Sequence, residues 1–92
     1  MKIVINVRDG AFSVSPTVAE CLGVDEFEDS KEFRTNPELI EFIERCGTEF
    51  ASGNLAKLEV VEVPDQTTDW RIVTDERGSE RLFYVVDGKL YG

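Results

Sequence analysis

The alternation of apolar and polar residues predicts β-strands near the start of the chain and in its last third. The clearest runs are residues 2–7 (KIVINV), 69–74 (DWRIVT) and 80–86 (ERLFYVV). The third run is apolar on both faces, which predicts a central position in its sheet. Asp87-Gly88 follows it and predicts a tight hairpin that pairs Val85-Val86 with Lys89-Leu90.

Residues 57–63 (KLEVVEV) predict a further strand whose alternation slips by one position at Val60-Val61. A slip of this kind indicates either a β-bulge or a strand with apolar neighbours on both faces. Pro64 ends the run, because proline lacks the N–H that a strand ladder needs.

A long helix is predicted from residue 37, because apolar residues recur there at spacings of three and four. Asn36 is the expected N-cap, and Glu41 with Arg45 makes a favourable i,i+4 pair. The helix is expected to end at Ser52-Gly53-Asn54. The residues predicted to face the core are Leu39, Ile40, Phe42, Ile43, Cys46 and Phe50.

A shorter helix is predicted after residue 15. Ser15 is the expected N-cap, with Pro16 at the first helical position, where its missing N–H costs nothing. Gly23 is the expected end, since glycine readily adopts the left-handed conformation there. The residues predicted to face inward are Val18, Ala19, Cys21 and Leu22.

The order of these elements predicts a single α+β domain over residues 1–92. The N-terminal strand and about three C-terminal strands are expected to form a mostly antiparallel sheet. The long and the short helix are expected to pack on one face of it, because the apolar stripe of the long helix must be buried. Residues 25–33 (DEFEDSKEF) show neither period and are expected to form a loop tethered by Phe27 and Phe33.

The composition excludes several chemistries. The chain has 19 acidic and 10 basic residues, a formal net charge of −9, and no histidine. Without histidine, serine–histidine and cysteine–histidine pairs are excluded, as is most zinc ligation. Cys21 and Cys46 lack the C-x-x-C spacing of redox pairs and are predicted to be small buried hydrophobes. We therefore expect no catalytic residues, no enzymatic activity and no cofactor.

The charge predicts the kind of partner. A strongly negative chain repels nucleic acid and anionic membranes and attracts basic protein surfaces. No apolar run approaches the roughly 18 residues of a membrane span, and the first residues show no signal-peptide pattern, so an intracellular location is expected. The carboxylates expected to form a broad negative binding face are Asp25, Glu26, Glu28, Asp29, Glu32, Glu38, Glu41, Glu44 and Glu49. An ordinary solvated charge run is the alternative interpretation.

A metal site in this segment is not expected, because calcium loops need regularly spaced ligands and a glycine in mid-loop. An acid–base enzyme that uses Glu26 and Glu28 is the least favoured hypothesis. Adjacent acids on a loop lack the buried setting that separates such a pair into acid and base.

The stretch DGAFSVSP lies between a strand and a helix, where nucleotide-binding folds hold phosphate. It contains neither G-x-G-x-x-G nor G-x-x-x-x-G-K-[ST], so a structural corner is favoured. A small-ligand or phosphate-metabolite site at this corner is the alternative functional hypothesis. Its residues would be Arg8, Asp9, Gly10, Ser13, Ser15 and Arg34.

Four segments carry motifs in a fixed order: MKIVIN, DGAFSVS, FRTNPELIEFIERCG and ASGNLAKLEVVEVPDQTTDW. This order resembles a family of small uncharacterised bacteriophage and prophage proteins, which show a KIVIN start, a GGF-x-LS corner, an RTDP helix opening and a VE-(I/V)-PDD segment before a tryptophan. The chain departs from the family at Ala11 and Asn36, in a shorter segment between the helices, and in its C-terminal hairpin. The resemblance implies a phage origin and a location in the bacterial cytoplasm. It implies no particular activity, because the family has none that can be carried over.

The leading hypothesis is therefore a small acidic phage or prophage protein that binds another protein with a basic surface. Its target would be a host or defence nucleoprotein, for which the chain would be an inhibitor or a nucleic-acid mimic, in an anti-CRISPR-like role. The sequence leaves open whether the chain is a monomer or a homodimer.

Overall fold

Five strands and four helices follow one another along the chain, and the computed structural model describes all of residues 1–92. The strands are β1 (Lys2–Asn6), β2 (Leu58–Glu62), β3 (Asp69–Thr74), β4 (Glu80–Val86) and β5 (Lys89–Tyr91). The helices are α1 (Pro16–Leu22), α2 (Lys31–Arg34), α3 (Pro37–Cys46) and α4 (Thr48–Ala51). All strand pairs are antiparallel, which confirms the predicted α+β class.

The strands are divided between two sheets, which corrects the expectation of one. β1 pairs only with β2, and β3, β4 and β5 form a second sheet with β4 in the centre, as its apolar faces predicted. The two sheets do not merge, because side chains form hydrogen bonds with the backbone along the other edge of β1. Arg34 donates to the carbonyl of Val4, and Glu80 accepts from the amide of Asn6.

The β1–β2 ribbon lies between the helices and the three-stranded sheet. Val4 and Val60 face the main core, which the ribbon shares with the helices. On the opposite face, Ile3 packs with Val63 and Trp70 in a smaller core. Successive residues of a strand point to opposite faces, so the apolar run of β1 serves both cores. The other buried members of the main core are Phe12, Val14, Val18, Ala19, Phe33, Leu39, Ile40, Ile43, Ala51, Ala56 and Leu58.

The phase slip at Val60-Val61 reflects this position between two cores. The pairing of β1 with β2 runs without interruption from Lys2↔Glu62 to Asn6↔Leu58, so there is no bulge. Val60 packs against the helix-side core and Val61 against the sheet-side core. Of the two alternatives that the sequence left open, apolar neighbours on both faces is therefore the observed one.

The helix starts lie where the sequence predicts them. The Ser15 hydroxyl accepts from the amide of Val18, and the Asn36 side chain accepts from two amides of the first turn of α3. Gly23 ends α1 in the left-handed conformation, with φ 67°. These caps satisfy amides that have no partner inside the helix.

The predicted long helix is interrupted at Gly47. Its φ of 91° ends α3 at Cys46, and the four residues of α4 follow in a new direction. Phe50, on α4, is therefore 44 % exposed. Cys46, the last residue of α3, is exposed as well, whereas the sequence predicted both residues to face the core. Cys21 is also exposed, which corrects its predicted inward position on α1.

The expected loop over residues 25–33 contains the start of a further helix, α2. The Ser30 hydroxyl caps this helix by accepting from the amide of Phe33. Phe33 is buried as predicted, but Phe27 is 64 % exposed and does not tether the loop. The C-terminal hairpin has the predicted pairing, and its turn residues Asp87 and Gly88 both have positive φ.

Candidate functional site

The predicted acidic face falls in the segment that runs from the loop after α1 to α4. Eight of its nine carboxylate residues are exposed and Glu28 is half-buried, so all are open to solvent. Glu32 lies on α2, Glu49 on α4, and three of them lie on α3. The three on α3 are Glu38, Glu41 and Glu44.

The structure brings some of these carboxylates together and separates others. Glu28 and Glu32 line one shallow depression, and Glu38 and Glu41 line another beside Phe42. Three more carboxylates line one depression each. They are Asp29, Glu26 and Glu49. The acidic residues thus form an open surface with no single cleft in common.

Most of the acidic face carries uncompensated charge. Lys2 Nζ lies 2.8 Å from Glu44, and this hydrogen bond raises the pKa of the lysine above its ordinary value. Arg45 lies 3.3 Å from Glu41, the i,i+4 pair that the sequence predicts. No ion pair forms at the other seven carboxylates. Their charge therefore faces solvent without a cation in contact.

The charge is distributed unevenly along the chain. Residues 1–65 hold 14 acidic and 6 basic side chains, a net charge of −8. Residues 66–92 hold 5 acidic and 4 basic side chains, a net charge of −1. The helical layer and the β1–β2 ribbon therefore carry nearly all of the excess negative charge, and the β3–β5 sheet is close to neutral.

The predicted ligand corner is held closed by one buried side chain. The Asn6 amide group donates to the carbonyls of Arg8, Gly10 and Gly78. Its oxygen accepts from the backbone amides of Arg8 and Lys57. Five hydrogen bonds from one fully buried side chain bind three segments of backbone together.

Close backbone approach leaves no room for a ligand inside this corner. A Cβ on Gly78 would lie 2.0 Å from the carbonyl oxygen of Gly10, and Gly10 itself lies against Leu55. Arg8 and Ser13 line separate depressions, and Ser15 caps α1. Arg34 points elsewhere, toward Glu80. The six residues of the ligand hypothesis therefore do not converge on a cavity.

The most buried charged groups are Arg34 and Glu80, and their pairing was not predicted from the sequence. Both side chains are 5 % exposed and form two hydrogen bonds of 2.7 and 2.8 Å. Arg34 also donates to the carbonyls of Val4 and Asp29, and its guanidinium lies 4.1 Å from the centre of the Phe12 ring. A bidentate pair in which each of the three guanidinium nitrogens donates is the geometry in which buried charges are tolerated.

The one sequence signal for this pair is a glutamate at the head of an apolar strand. Glu80 begins β4, where a charged residue on the inner face needs a partner. Arg34 was placed in the ligand hypothesis instead. The structure shows it as a structural residue between α2, β1 and β4.

A groove of about 540 Å³ lies next to this pair, between α2 and β3. Its charges neutralise one another: Asp69 lies 3.5 Å from Lys31 and 3.6 Å from Arg71. A hydrogen bond from the amide of Trp70, together with these cations, lowers the pKa of Asp69 below its ordinary value. Asp29 is the one charged residue of the groove without an ion pair, so the groove presents one free carboxylate to a ligand and no free cation.

No group of three acidic or cysteine side chains is arranged to hold a metal ion. Both cysteines are free and exposed. None of the four helices is long and apolar enough to cross a membrane.

Comparisons of the chain with protein-family models, with curated proteins and with solved structures give no significant match. The resemblance to phage proteins therefore stays a prediction, and any function has to be argued from the surface itself.

Proposed function

We propose that this chain is a small, acidic, non-enzymatic protein of phage or prophage origin that binds another protein through its carboxylate-rich helical segment. The observation that carries the proposal is the uneven charge. A net charge of −8 lies in residues 1–65, and seven carboxylates of the acidic face have no ion pair. A surface of this kind attracts a basic partner over distances comparable to the Debye length.

The proposed partner is a nucleoprotein of the host or of a defence system, in the cytoplasm of a bacterial cell. A groove that binds nucleic acid is lined with lysine and arginine, which neutralise phosphates at regular spacing. Carboxylates on an open surface would meet the same cations, so the chain would inhibit its partner by occupying that groove. Direct binding of nucleic acid or of an anionic membrane is not part of the proposal, since the chain repels both.

An apolar patch beside the acidic face favours a protein partner. Phe27 and Leu55 are 64 % and 65 % exposed and line one depression together with Glu26. Exposed large apolar side chains beside charges are typical anchors of protein–protein interfaces. Carboxylates around the anchor supply orientation, and burial of the anchor supplies affinity.

The test uses two variants with equal net charge. In the acid-neutralised variant, four exposed, unpaired residues of the acidic face become Gln: Glu26, Glu32, Glu38 and Glu49. In the matched control, four exposed acids outside this face become Gln or Asn: Glu59, Glu62, Glu76 and Asp87. Both variants have a formal net charge four units less negative than the native −9.

Each variant and the native chain are immobilised and used to capture proteins from nuclease-treated bacterial lysate, with identification by mass spectrometry. We expect the native chain and the control to retain a nucleic-acid-binding protein that added duplex DNA displaces, and the acid-neutralised variant to lose it. Raising the salt from about 50 to about 300 mM should release it. Equal capture by both variants, or capture of no nucleic-acid-binding protein, would contradict the proposal.

A further inference from the structure

Side chains form hydrogen bonds with outward-facing backbone groups on three of the four edge strands, which are β1, β2, β3 and β5. On β1, Arg34 and Glu80 bond the carbonyl of Val4 and the amide of Asn6. On β3, Lys31 Nζ donates to the carbonyl of Trp70. Unpaired strand edges invite pairing with other chains, and such side-chain bonds occupy the groups that would pair.

The outer edge of β2 is bonded in the same way. Thr48 Oγ1 donates to the carbonyl of Leu58 over 3.0 Å, and Ser52 Oγ accepts from the amide of Leu58 over 2.9 Å. The fourth outer strand, β5, differs from the others. No side chain hydrogen-bonds the backbone of its three residues, and all three are exposed.

The outward groups of β5 are those of Leu90. In a two-residue hairpin the residues beside the turn, Val86 and Lys89, form a hydrogen-bonded pair. The next residue, Leu90, therefore directs its N–H and its C=O away from β4. In agreement, the carbonyl of Val85, the residue opposite Leu90, accepts from the amide of Thr68. Thr68 precedes β3, so this carbonyl points toward β3 and away from β5. The Leu90 side chain is 69 % exposed.

We propose that β5 pairs with the β5 strand of a second copy of this chain, which joins two three-stranded sheets into one antiparallel sheet of six strands. Leu90 would lie opposite Leu90 of the other copy, so that the two residues exchange both of their outward hydrogen bonds. This register is self-complementary, as a two-fold symmetric interface requires.

The side chains favour this register. It places Lys89 opposite Tyr91 of the other copy, where the ammonium lies beside an aromatic ring already stacked on Tyr84 at 5.4 Å. The two exposed Leu90 side chains would lie side by side on the other face of the joined sheet. No carboxylate belongs to β5, so no acid faces an acid across the junction.

The charge distribution also favours β5 as the place where two copies meet. Two chains of net charge −9 repel each other, and this repulsion is weakest where the chain is nearly neutral. The β3–β5 sheet lies in the segment of net charge −1, and the acidic segment lies in the rest of the chain. A dimer through β5 leaves the acidic face free, so this inference does not depend on the proposed function.

The test is the sedimentation of the full chain across a range of concentrations. We expect a reversible monomer–dimer equilibrium in which added salt favours the dimer, because salt screens the repulsion between copies. The Leu90→Pro variant should raise the dissociation constant by at least about tenfold, since proline removes the outward donor of an edge strand and leaves the ladder to β4 in place. Its unfolding is measured as well, and Leu90→Thr, which keeps the N–H, is the folded comparison.

A charge-matched pair tests the register. Lys89→Glu places a carboxylate against the ring of Tyr91 and should weaken the dimer, whereas Lys57→Glu makes the same change of net charge on a residue outside β5 and should not. A chain that remains monomeric at all concentrations would overturn the inference. So would a dimer that Leu90→Pro leaves intact, or a monomer whose Leu90 amide becomes protected only when an extended peptide is added.

Discussion

Arg34 and Glu80 show how much of this fold depends on two residues. Each is nearly fully buried. Together they form hydrogen bonds with the backbone at the edge of β1 and connect this strand to α2 and β4. A buried ion pair of this kind adds little net stability compared with apolar residues of the same shape. We expect its effect to be on specificity, because this arrangement of the three elements satisfies both charges.

Replacing one partner of this pair should therefore be costly. We expect Glu80→Gln to lower the free energy of unfolding by about 3–5 kcal/mol, because the Arg34 guanidinium stays buried without a counter-charge. The measurement is urea denaturation at neutral pH. Arg45→Ala, which breaks the exposed pair with Glu41, should change the same quantity by less than about 1 kcal/mol.

The single variant Arg34→Met and the double variant Arg34→Met/Glu80→Gln complete the cycle. If the charge pair is the cause, the loss in the double variant is smaller than the sum of the two single losses. Additive losses would show that each residue acts alone, through its bonds to the backbone of β1.

Among the elements, those defined by local chemistry could be predicted from the sequence. The caps at Ser15 and Asn36 and the turn at Asp87-Gly88 depend on residues within a few positions of one another, and the structure has each in its predicted place. The prediction also found β3 and β4 with their observed ends.

The elements that were missed depend on contacts distant in sequence. The four-residue α2 has too few residues to show a period, and it exists because Phe33 enters the main core while Arg34 reaches β4. The inward positions assigned to Cys46 and Phe50 assumed one straight helix. The backbone of Gly47 turns the chain between them, so the periodicity of α3 does not continue into α4.

A matched pair of phenylalanines tests this account of α2. Phe33→Ala should lower the free energy of unfolding by about 3–5 kcal/mol, because it opens a cavity in the main core. Phe27→Ala, six positions earlier in the same segment and 64 % exposed, should change it by no more than about 0.5 kcal/mol. Thermal and urea unfolding both report the difference. Similar losses for the two variants would contradict the assignment of Phe33 as the anchor.

On the scale of the whole molecule, the helical layer and the β1–β2 ribbon carry nearly all of the excess negative charge, and the layer formed by β3, β4 and β5 is close to neutral. The sequence predicted the acidic residues and their exposure. It did not predict the separate depressions, which depend on how α2, α3 and α4 are placed relative to one another. The ligand corner shows the same limit, because the hydrogen bonds of Asn6 to Gly78 join residues 72 positions apart.

The excess of carboxylates should make stability depend on salt. Since a net charge of −9 repels itself in the folded state, raising sodium chloride from about 20 to about 500 mM should raise the midpoint of thermal unfolding. The acid-neutralised variant should gain less over the same range. A midpoint that falls with salt would mean that the exposed ion pairs outweigh the repulsion.

The hydrogen bond from the Asn6 amide of β1 to Glu80 has a consequence for synthesis on the ribosome. The second residue of the chain already belongs to β1, but the group that bonds the amide of Asn6 is made 74 residues after it. While the nascent chain is being extended, this amide of β1 therefore has no hydrogen-bond partner in the fold. Strands with unpaired backbone groups are prone to pair wrongly. Completion of the fold is therefore expected only once β4 has left the exit tunnel.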